Sequence, residues 1–240
     1  QSAIIPPKVS HVNGVISIQF KEKNDLVEFA GITSSVVLDF FVKSIGAANL
    51  TDGKLKYFPF GIDKKYRTEL DVRTLILNCL SDSYSTLWSD LFSESFCSSS
   101  WSKEDFRLKP FVDLDKNWSK STPLRNFYER RQALVEIDVL TAMAFGLSLA
   151  ELIIIYNVQF PVLQSYEEGT YYDQKGNVVV TNNAQGLKGI GVSTSEWNNI
   201  KDLKAGETYE HTIEKSELYY GKKATYYAPF DKCDRVENYK

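Results

Sequence analysis

The chain is poor in the residues that build metal sites and disulfide frameworks. Its 240 residues include three cysteines, two histidines and a single methionine, Met143. Cys79, Cys97 and Cys233 are odd in number, far apart and without a C-x-x-C pair, so neither a zinc site nor a disulfide framework is predicted. We interpret them as free thiols of a protein in the reducing cytoplasm.

Long apolar runs are also missing. The longest, residues 152–156, is far shorter than the roughly 18 residues that cross a bilayer, so no membrane contact is predicted. No secretory signal segment is visible. The chain begins with Gln1 rather than Met, from which we expect a piece of a longer protein whose catalytic parts lie elsewhere.

An excess of positive charge is absent as well. The net charge is −3 and the isoelectric point is near 5.6, which argues against a wholly basic nucleic-acid module. A local basic face is sufficient for phosphate contacts, so DNA binding stays open. Hydrophobic residues make up 43% of the chain and aromatic residues 13%, a composition typical of a folded protein with a sizeable core.

The first third of the chain predicts a strand, a helix and an extended edge. Residues 15–20 alternate apolar and polar side chains, the pattern of a half-buried strand. Residues 32–46 predict a short buried helix that Gly46 terminates. Residues 54–62 contain Phe58-Pro59-Phe60 and predict an extended segment at a sheet edge.

Two paired helices are predicted in the middle of the chain. Apolar residues recur every seven positions over residues 70–92, with Leu80 and Leu87 at the second position of the buried seam. This pattern indicates an amphipathic helix packed on a partner helix. We predict the partner over residues 123–145, with Thr122 as its cap and Gly146 at its end. The long connection between them is expected to be either functional or mobile.

Shorter elements follow. Ser148 and Glu151 have the spacing of a capping box that opens a third helix, with Pro161 just beyond its end. The remaining predictions are a hairpin over residues 171–180, a helix over residues 195–203, and a strand pair formed by residues 208–213 and 224–229. Ser193 and Glu196 have capping-box spacing at the start of that helix.

Two motifs are weak candidates for chemistry. The stretch from Gly186 to Gly191 has G-x-x-G-x-G spacing, but no strand and helix of the expected length flank it, which favours a plain turn. The carboxylate pairs Asp113 with Asp115 and Glu167 with Glu168 are interpreted as solvated loop residues rather than a nuclease site.

Clusters of basic residues provide a stronger hypothesis. The candidate DNA-binding residues, which surround Phe58 and Phe60, are Lys54, Lys56, Lys64, Lys65 and Arg67. Two further basic groups are Lys103, Arg107, Lys109, Lys116 and Lys120, and then Arg125, Arg130 and Arg131. Each group can anchor DNA phosphates, and the alternative is a solvated surface that serves solubility.

The first sixty residues resemble a recurring element of DNA methyltransferases. The matching stretches are residues 29–41, Asn49-Leu50 and residues 56–60. They are similar to the end of a TaqI-like specificity domain and to the target-recognition domains of type I specificity subunits. Phe60 stands where a second proline is often seen.

A longer resemblance covers residues 74–240. The matching stretches are residues 77–80, 129–138, 156–163, 172–177 and 228–235. They are similar to the C-terminal region of very large adenine-N6 DNA methylases of type IIG restriction–modification and related phage-defence systems.

The resemblance implies a division of labour within the parent protein. Adenine-N6 methylation needs a loop for S-adenosylmethionine and an N/D-P-P-Y/F motif, and neither appears here; Pro6-Pro7 lacks both flanking residues. We therefore expect no cofactor and no catalytic residue in this chain. Its expected task is to grip or read double-stranded DNA while the parent's methylase domain extrudes the target base.

The resulting hypothesis is an α+β fold in three parts. Residues 1–62 would complete the target-recognition domain, residues 66–165 would form a helical spacer, and residues 166–240 would form a small β-rich subdomain. The expected partners are DNA and the remaining domains of the methyltransferase. The alternative is a protein-interaction scaffold without DNA contact, which the tyrosines expected to be exposed favour: Tyr219, Tyr220, Tyr226 and Tyr227.

Overall fold

The computed structural model describes residues 2–10, 15–46, 52–180 and 190–240. Within these ranges the chain combines many helices with two small antiparallel sheets, which confirms the α+β class at this coarse level. Among the described helices, none has both the length and the apolar character needed to cross a membrane.

The elements are short and follow one another closely. The helices are α1 (Lys23–Thr33), α2 (Val36–Ser44), α3 (Asp52–Leu55), α4 (Lys64–Asn78), α5 (Ser85–Leu91), α6 (Phe127–Ala144), α7 (Leu149–Gln159), α8 (Pro161–Glu168), α9 (Thr194–Ile200) and α10 (Arg235–Tyr239). The strands are β1 (Thr170–Tyr172), β2 (Val178–Val180), β3 (Thr208–Thr212) and β4 (Lys223–Tyr227). β1 pairs with β2, and β3 pairs with β4.

Helices α1, α4 and α6 pack around the larger hydrophobic core. Its buried side chains include Ile32, Leu70 and Ile137, so the core takes residues from both sides of the boundary predicted near residues 62–66. At Gly31 an added Cβ would lie only 2.5 Å from Thr74 Oγ1. Glycine is therefore required at this position because α1 and α4 approach closely.

A second core joins α2, α6, α7 and α10, with Val135, Leu152 and Tyr239 among its buried residues. Val179, Ile200 and Tyr226 form a third, smaller core beneath the two hairpins. Tyr226 is therefore buried, contrary to the prediction, whereas Tyr220 is 74% exposed. A buried tyrosine in the hairpin adds to the core and is not available for an interface.

The predicted strand over residues 15–20 is wrong. This stretch belongs to no strand within the described ranges, and the side chains of Val15, Ile16 and Ile18 are 41–56% exposed. An alternating pattern becomes a buried strand only where a sheet is present to cover it. Here the described strands form two separate hairpins instead.

The helix predicted over residues 32–46 is two helices. The first helix, α1, ends at Thr33 and α2 begins at Val36. The Ser35 hydroxyl accepts a hydrogen bond from the Leu38 N–H at 3.2 Å and so caps α2. Serine favours this capping position over a helix interior. Residues 54–62, predicted as an extended edge, instead contain the end of α3 followed by a loop.

The seven-residue pattern over residues 70–92 is also interrupted. α4 ends at Asn78, whose side-chain amide donates to the Thr74 carbonyl at 2.8 Å and accepts from the Ile4 N–H at 3.0 Å. Leu80, predicted for the buried seam, is 42% exposed. The pairing of α4 with the helix predicted over residues 123–145 is confirmed.

That partner helix, α6, begins later than predicted. Its cap is Asn126, which forms a reciprocal capping box with Glu129, whereas the Thr122 hydroxyl accepts from the Ser119 N–H in the preceding turn. Pro161 lies just beyond the end of α7, as predicted, and is also the first residue of α8, a position that suits its fixed φ angle.

Several local predictions are confirmed. Ser148 with Glu151, and Ser193 with Glu196, form capping boxes at the starts of α7 and α9. The hairpin within residues 171–180 and the later strand pair are both present. The connection between α5 and α6 is held in place by buried Phe111, with two short 3-10 turns along its path.

Candidate nucleic-acid interface

Four of the predicted DNA-binding residues are lysines that flank one loop. Lys54 lies on α3 and is half-buried, Lys56 follows it and is exposed, and Lys64 and Lys65 occupy the exposed first turn of α4. We call these four residues the lysine segment. Among the described residues, no salt bridge involves Lys54, Lys56 or Lys64, whereas Lys65 has a long contact of 3.9 Å with Asp63.

Lys65 is also placed against an aromatic neighbour. Its ammonium lies 4.7 Å from the centre of the Tyr66 ring. A hydrogen bond with Tyr66 is the main cause that raises the pKa of Lys65. The side chain therefore carries its positive charge throughout the neutral pH range.

The loop between Lys56 and Lys64 is fastened from below by Glu28 of α1. The Glu28 carboxylate is 1% exposed and accepts hydrogen bonds from the backbone N–H groups of Gly61 at 2.6 Å and Ile62 at 2.9 Å. Gly61 has a φ of +87°, a backbone conformation that favours glycine. The loop conformation is thus set by a buried charge.

Arg67, the fifth predicted contact, is used inside the protein. Its guanidinium forms an ion pair with Glu28, lies 3.5 Å from the Asp71 carboxylate and donates to the Asn24 carbonyl at 3.0 Å. The structure therefore does not group Arg67 with the solvent-facing lysines. Its contacts instead stabilise the loop and the first turns of α4.

Two aromatic side chains on the same loop face solvent. Tyr57 is 74% exposed and Phe60 is 47% exposed, while Phe58 between them is buried at 9%. The Phe60 ring lies 6.2 Å from Phe20 and 6.3 Å from Phe29, measured between ring centres. Phe60 is therefore supported from behind by other rings, with its remaining surface open.

The other basic groups predicted from the sequence are mostly engaged within the fold. The Arg107 guanidinium forms two hydrogen bonds with Asp231, at 2.7 and 2.9 Å, and pairs with Asp105. Arg131 lies 3.3 Å from the Glu167 carboxylate. Arg130 donates to the Leu77 carbonyl at 3.1 Å.

Lysines in the long connection divide in the same way. Lys109 is half-buried and donates to the Ser121 carbonyl, whereas Lys116 and Lys120 are exposed, as is Arg125. Lys103 is half-buried, and this burial lowers its pKa. Lys103 and Lys109 are thus partly engaged within the fold, whereas Lys116, Lys120 and Arg125 present their charge to solvent.

The weaker candidates from the sequence gain no support as catalytic sites. Glu167 is an internal ion-pair partner, and within the described ranges no cluster of His, Cys, Asp or Glu side chains could hold a metal ion. Residues 186–189 of the glycine-rich stretch lie outside the described residues, as does Asn49-Leu50.

One buried polar cluster has no signal in the sequence. The Asp138 carboxylate accepts from the Val36 N–H at 2.8 Å, from Arg235 at 2.6 Å and from the Tyr239 hydroxyl at 2.8 Å. Arg235 also pairs with Glu167 at 2.9 Å. All of these contacts join segments distant in the chain, so no local motif announces them, and their effect is to lock α10 onto α2 and α6.

Comparison with known proteins returned no match to the chain, whether against family models, curated proteins or solved structures.

Proposed function

We propose that this chain grips double-stranded DNA for an adenine-N6 methyltransferase of the restriction–modification or phage-defence type. The lysine segment supplies the phosphate contacts. The supporting observation is the contrast between Lys56, Lys64 and Lys65, which face solvent, and Arg67 and Arg107, which are neutralised by internal carboxylates. Solvent-facing lysines can neutralise DNA phosphates and release the counterions condensed on the DNA.

In this proposal the chain does no chemistry by itself. S-adenosylmethionine and the base-binding motif belong to the remainder of the methyltransferase, in the cytoplasm, and this chain contributes affinity and orientation. Arg67 acts indirectly, because its ion pair with Glu28 fixes the loop that separates Lys56 from Lys64. Phosphate contacts of this kind position a protein on DNA without reading its sequence.

The test is the salt dependence of DNA binding by a Lys64→Ala/Lys65→Ala double variant. Each lost phosphate contact reduces the slope of log affinity against log salt by about 0.9, so we expect the slope to fall by roughly 2 and affinity to drop for every duplex sequence. The matched control is Lys201→Ala/Lys204→Ala, which removes the same charge from two other exposed lysines. Equal slopes for the two double variants would refute the assignment.

A second candidate function, a protein-interaction scaffold, is favoured by a different surface. Ile154, Val158 and Val162 are 59–64% exposed along α7 and the start of α8, and Val162 also lines an apolar groove of about 730 Å³. Contiguous exposed apolar side chains are typical of protein contacts. A titration with random duplex DNA at two salt concentrations separates the candidates, because a pure scaffold binds at neither.

A further inference from the structure

We infer that the loop carrying Tyr57 and Phe60 is a stacking platform for unpaired bases, so that the lysine segment prefers DNA with an opened strand to an intact duplex. This inference rests on the proposed function and names the form of DNA that the same surface takes. Every base presents a flat face, and aromatic side chains in a basic groove bind single strands by stacking on those faces.

The exposure pattern of the loop is the first argument. Tyr57 and Phe60 point into solvent while Phe58 is buried against Phe29 and Phe41, whose ring centres lie 6.1 and 6.0 Å away. The buried ring anchors the loop and leaves its two neighbours displayed. The exposed aromatic rings on either side of this buried ring are available to contact a partner.

The rigidity of the loop is the second argument. The Tyr57 N–H donates to the Lys54 carbonyl at 3.1 Å, and the Phe58 N–H donates to the Leu55 carbonyl at 3.1 Å. At the other end, Gly61 and Ile62 donate to the buried Glu28 carboxylate. Both ends are therefore fixed, and a surface ordered before binding loses less entropy when a partner arrives.

The charge around the rings is the third argument and selects the partner. Residues 53–67 contain five basic side chains and one acidic side chain, Asp63. Arg67 is already paired, which leaves the four lysines of the lysine segment in the same stretch of chain as the two exposed rings. A polyanion with flat, exposed bases satisfies both features, whereas an intact duplex satisfies only the charge.

The experiment compares two DNA probes by fluorescence polarisation. One is a random-sequence duplex and the other is the same duplex with a short single-stranded gap. We expect the wild-type chain to bind the gapped probe more tightly. Tyr57→Ala should weaken gapped-probe binding about tenfold, as the loss of one stacked base predicts, with less than a twofold effect on the intact duplex and an unchanged salt slope.

Two further variants serve as controls. Tyr57→Phe keeps the ring and should restore binding of the gapped probe. Tyr220→Ala removes a tyrosine of the same 74% exposure from the turn between β3 and β4 and should leave both probes unaffected. Tyr57 is largely exposed, so its replacement is expected to preserve the fold, which circular dichroism verifies.

The outcomes separate the two proposals. Equal affinity for both probes, or a Tyr57→Ala variant that behaves like Tyr220→Ala, overturns the stacking platform while a reduced salt slope for Lys64→Ala/Lys65→Ala still supports the phosphate contacts. A chain that binds neither probe overturns both proposals and favours a protein partner.

Discussion

Glu28 and Arg67 form an ion pair in which the carboxylate side chain is 1% exposed and the arginine side chain 22% exposed. The same carboxylate receives the backbone N–H groups of Gly61 and Ile62. One buried charge therefore links α1, the loop bearing Tyr57 and the first turns of α4. Removing Arg67 would leave the Glu28 carboxylate buried in the protein, with little access to water and without its ion-pair partner.

Arg67→Ala is expected to lower the free energy of unfolding by about 3 kcal/mol, because breaking a buried pair leaves its partner charge uncompensated. Lys64→Ala removes the same charge from an exposed position and should change stability by less than about 0.5 kcal/mol. Urea unfolding at neutral pH measures both values. Similar losses for the two variants would show that the Glu28 pair contributes no special stability.

Asp71 predicts a pH dependence of stability. Burial raises the pKa of Asp71 to about 6 despite the opposing effect of Arg67. The folded protein thus binds the Asp71 proton more tightly than the unfolded chain does, because an aspartate in the unfolded chain has a pKa of about 4. Stability is therefore expected to fall as pH rises from about 4 to about 6 and then to level off, with a change on the order of 2–3 kcal/mol.

The Asp71→Asn variant isolates this contribution. The difference in unfolding free energy between wild type and variant, measured by urea unfolding at several pH values, should follow the descending curve just described. Groups that titrate in both proteins cancel in the difference. A difference that does not vary between pH 4 and pH 6 would contradict a raised pKa for Asp71.

Among the residues of α10, Arg235 is expected to contribute most to the stability of the fold. It pairs with Asp138 at 2.6 Å and with Glu167 at 2.9 Å. Arg235→Met leaves both carboxylates without this partner and should cost about 3–5 kcal/mol. Lys240→Met, at the opposite end of the same helix, removes an exposed ion pair with Glu237 and should cost under about 1 kcal/mol. Thermal unfolding should give a clearly lower melting temperature for Arg235→Met than for Lys240→Met, and comparable melting temperatures would refute this prediction.

The buried thiol of Cys79 should resist chemical labelling. Cys79 is 0% exposed, and burial raises its pKa to about 12, so the reactive thiolate is scarce and inaccessible. Titration with a thiol reagent at pH 8 should detect more cysteine after denaturation than before, and a Cys79→Ala variant should reduce this difference by one thiol. Rapid labelling of Cys79 in the native protein would show that the core around it opens readily.

Local sequence signals predicted local structure well. Ser148 with Glu151, and Ser193 with Glu196, lie three residues apart, and both of these capping boxes form as the spacing predicts. The energetic gain of a capping box comes from atoms within one helical turn, so distant parts of the chain seldom override it.

Predictions that depended on distant partners succeeded less often. Residues 15–20 have the alternation of a strand, yet a strand also needs a sheet, and none of the described strands covers them. The sequence places Arg67 among the basic lysines, but its ion-pair partner Glu28 lies 39 residues away. No local pattern therefore shows that its charge is neutralised. Charge and spacing identify which basic residues exist, but only the three-dimensional fold decides which of them are neutralised.

The three donors to the Asp138 carboxylate lie 97, 101 and 102 residues from it along the chain. Val36 is synthesised before Asp138, but Arg235 and Tyr239 follow Asp138 by 97 and 101 residues. A nascent chain that has released α6 but not α10 must therefore hold Asp138 without its arginine. The contacts at Asp138 are consequently completed only once α10 has been synthesised, and a ribosome stalled before α10 would hold a chain that lacks them.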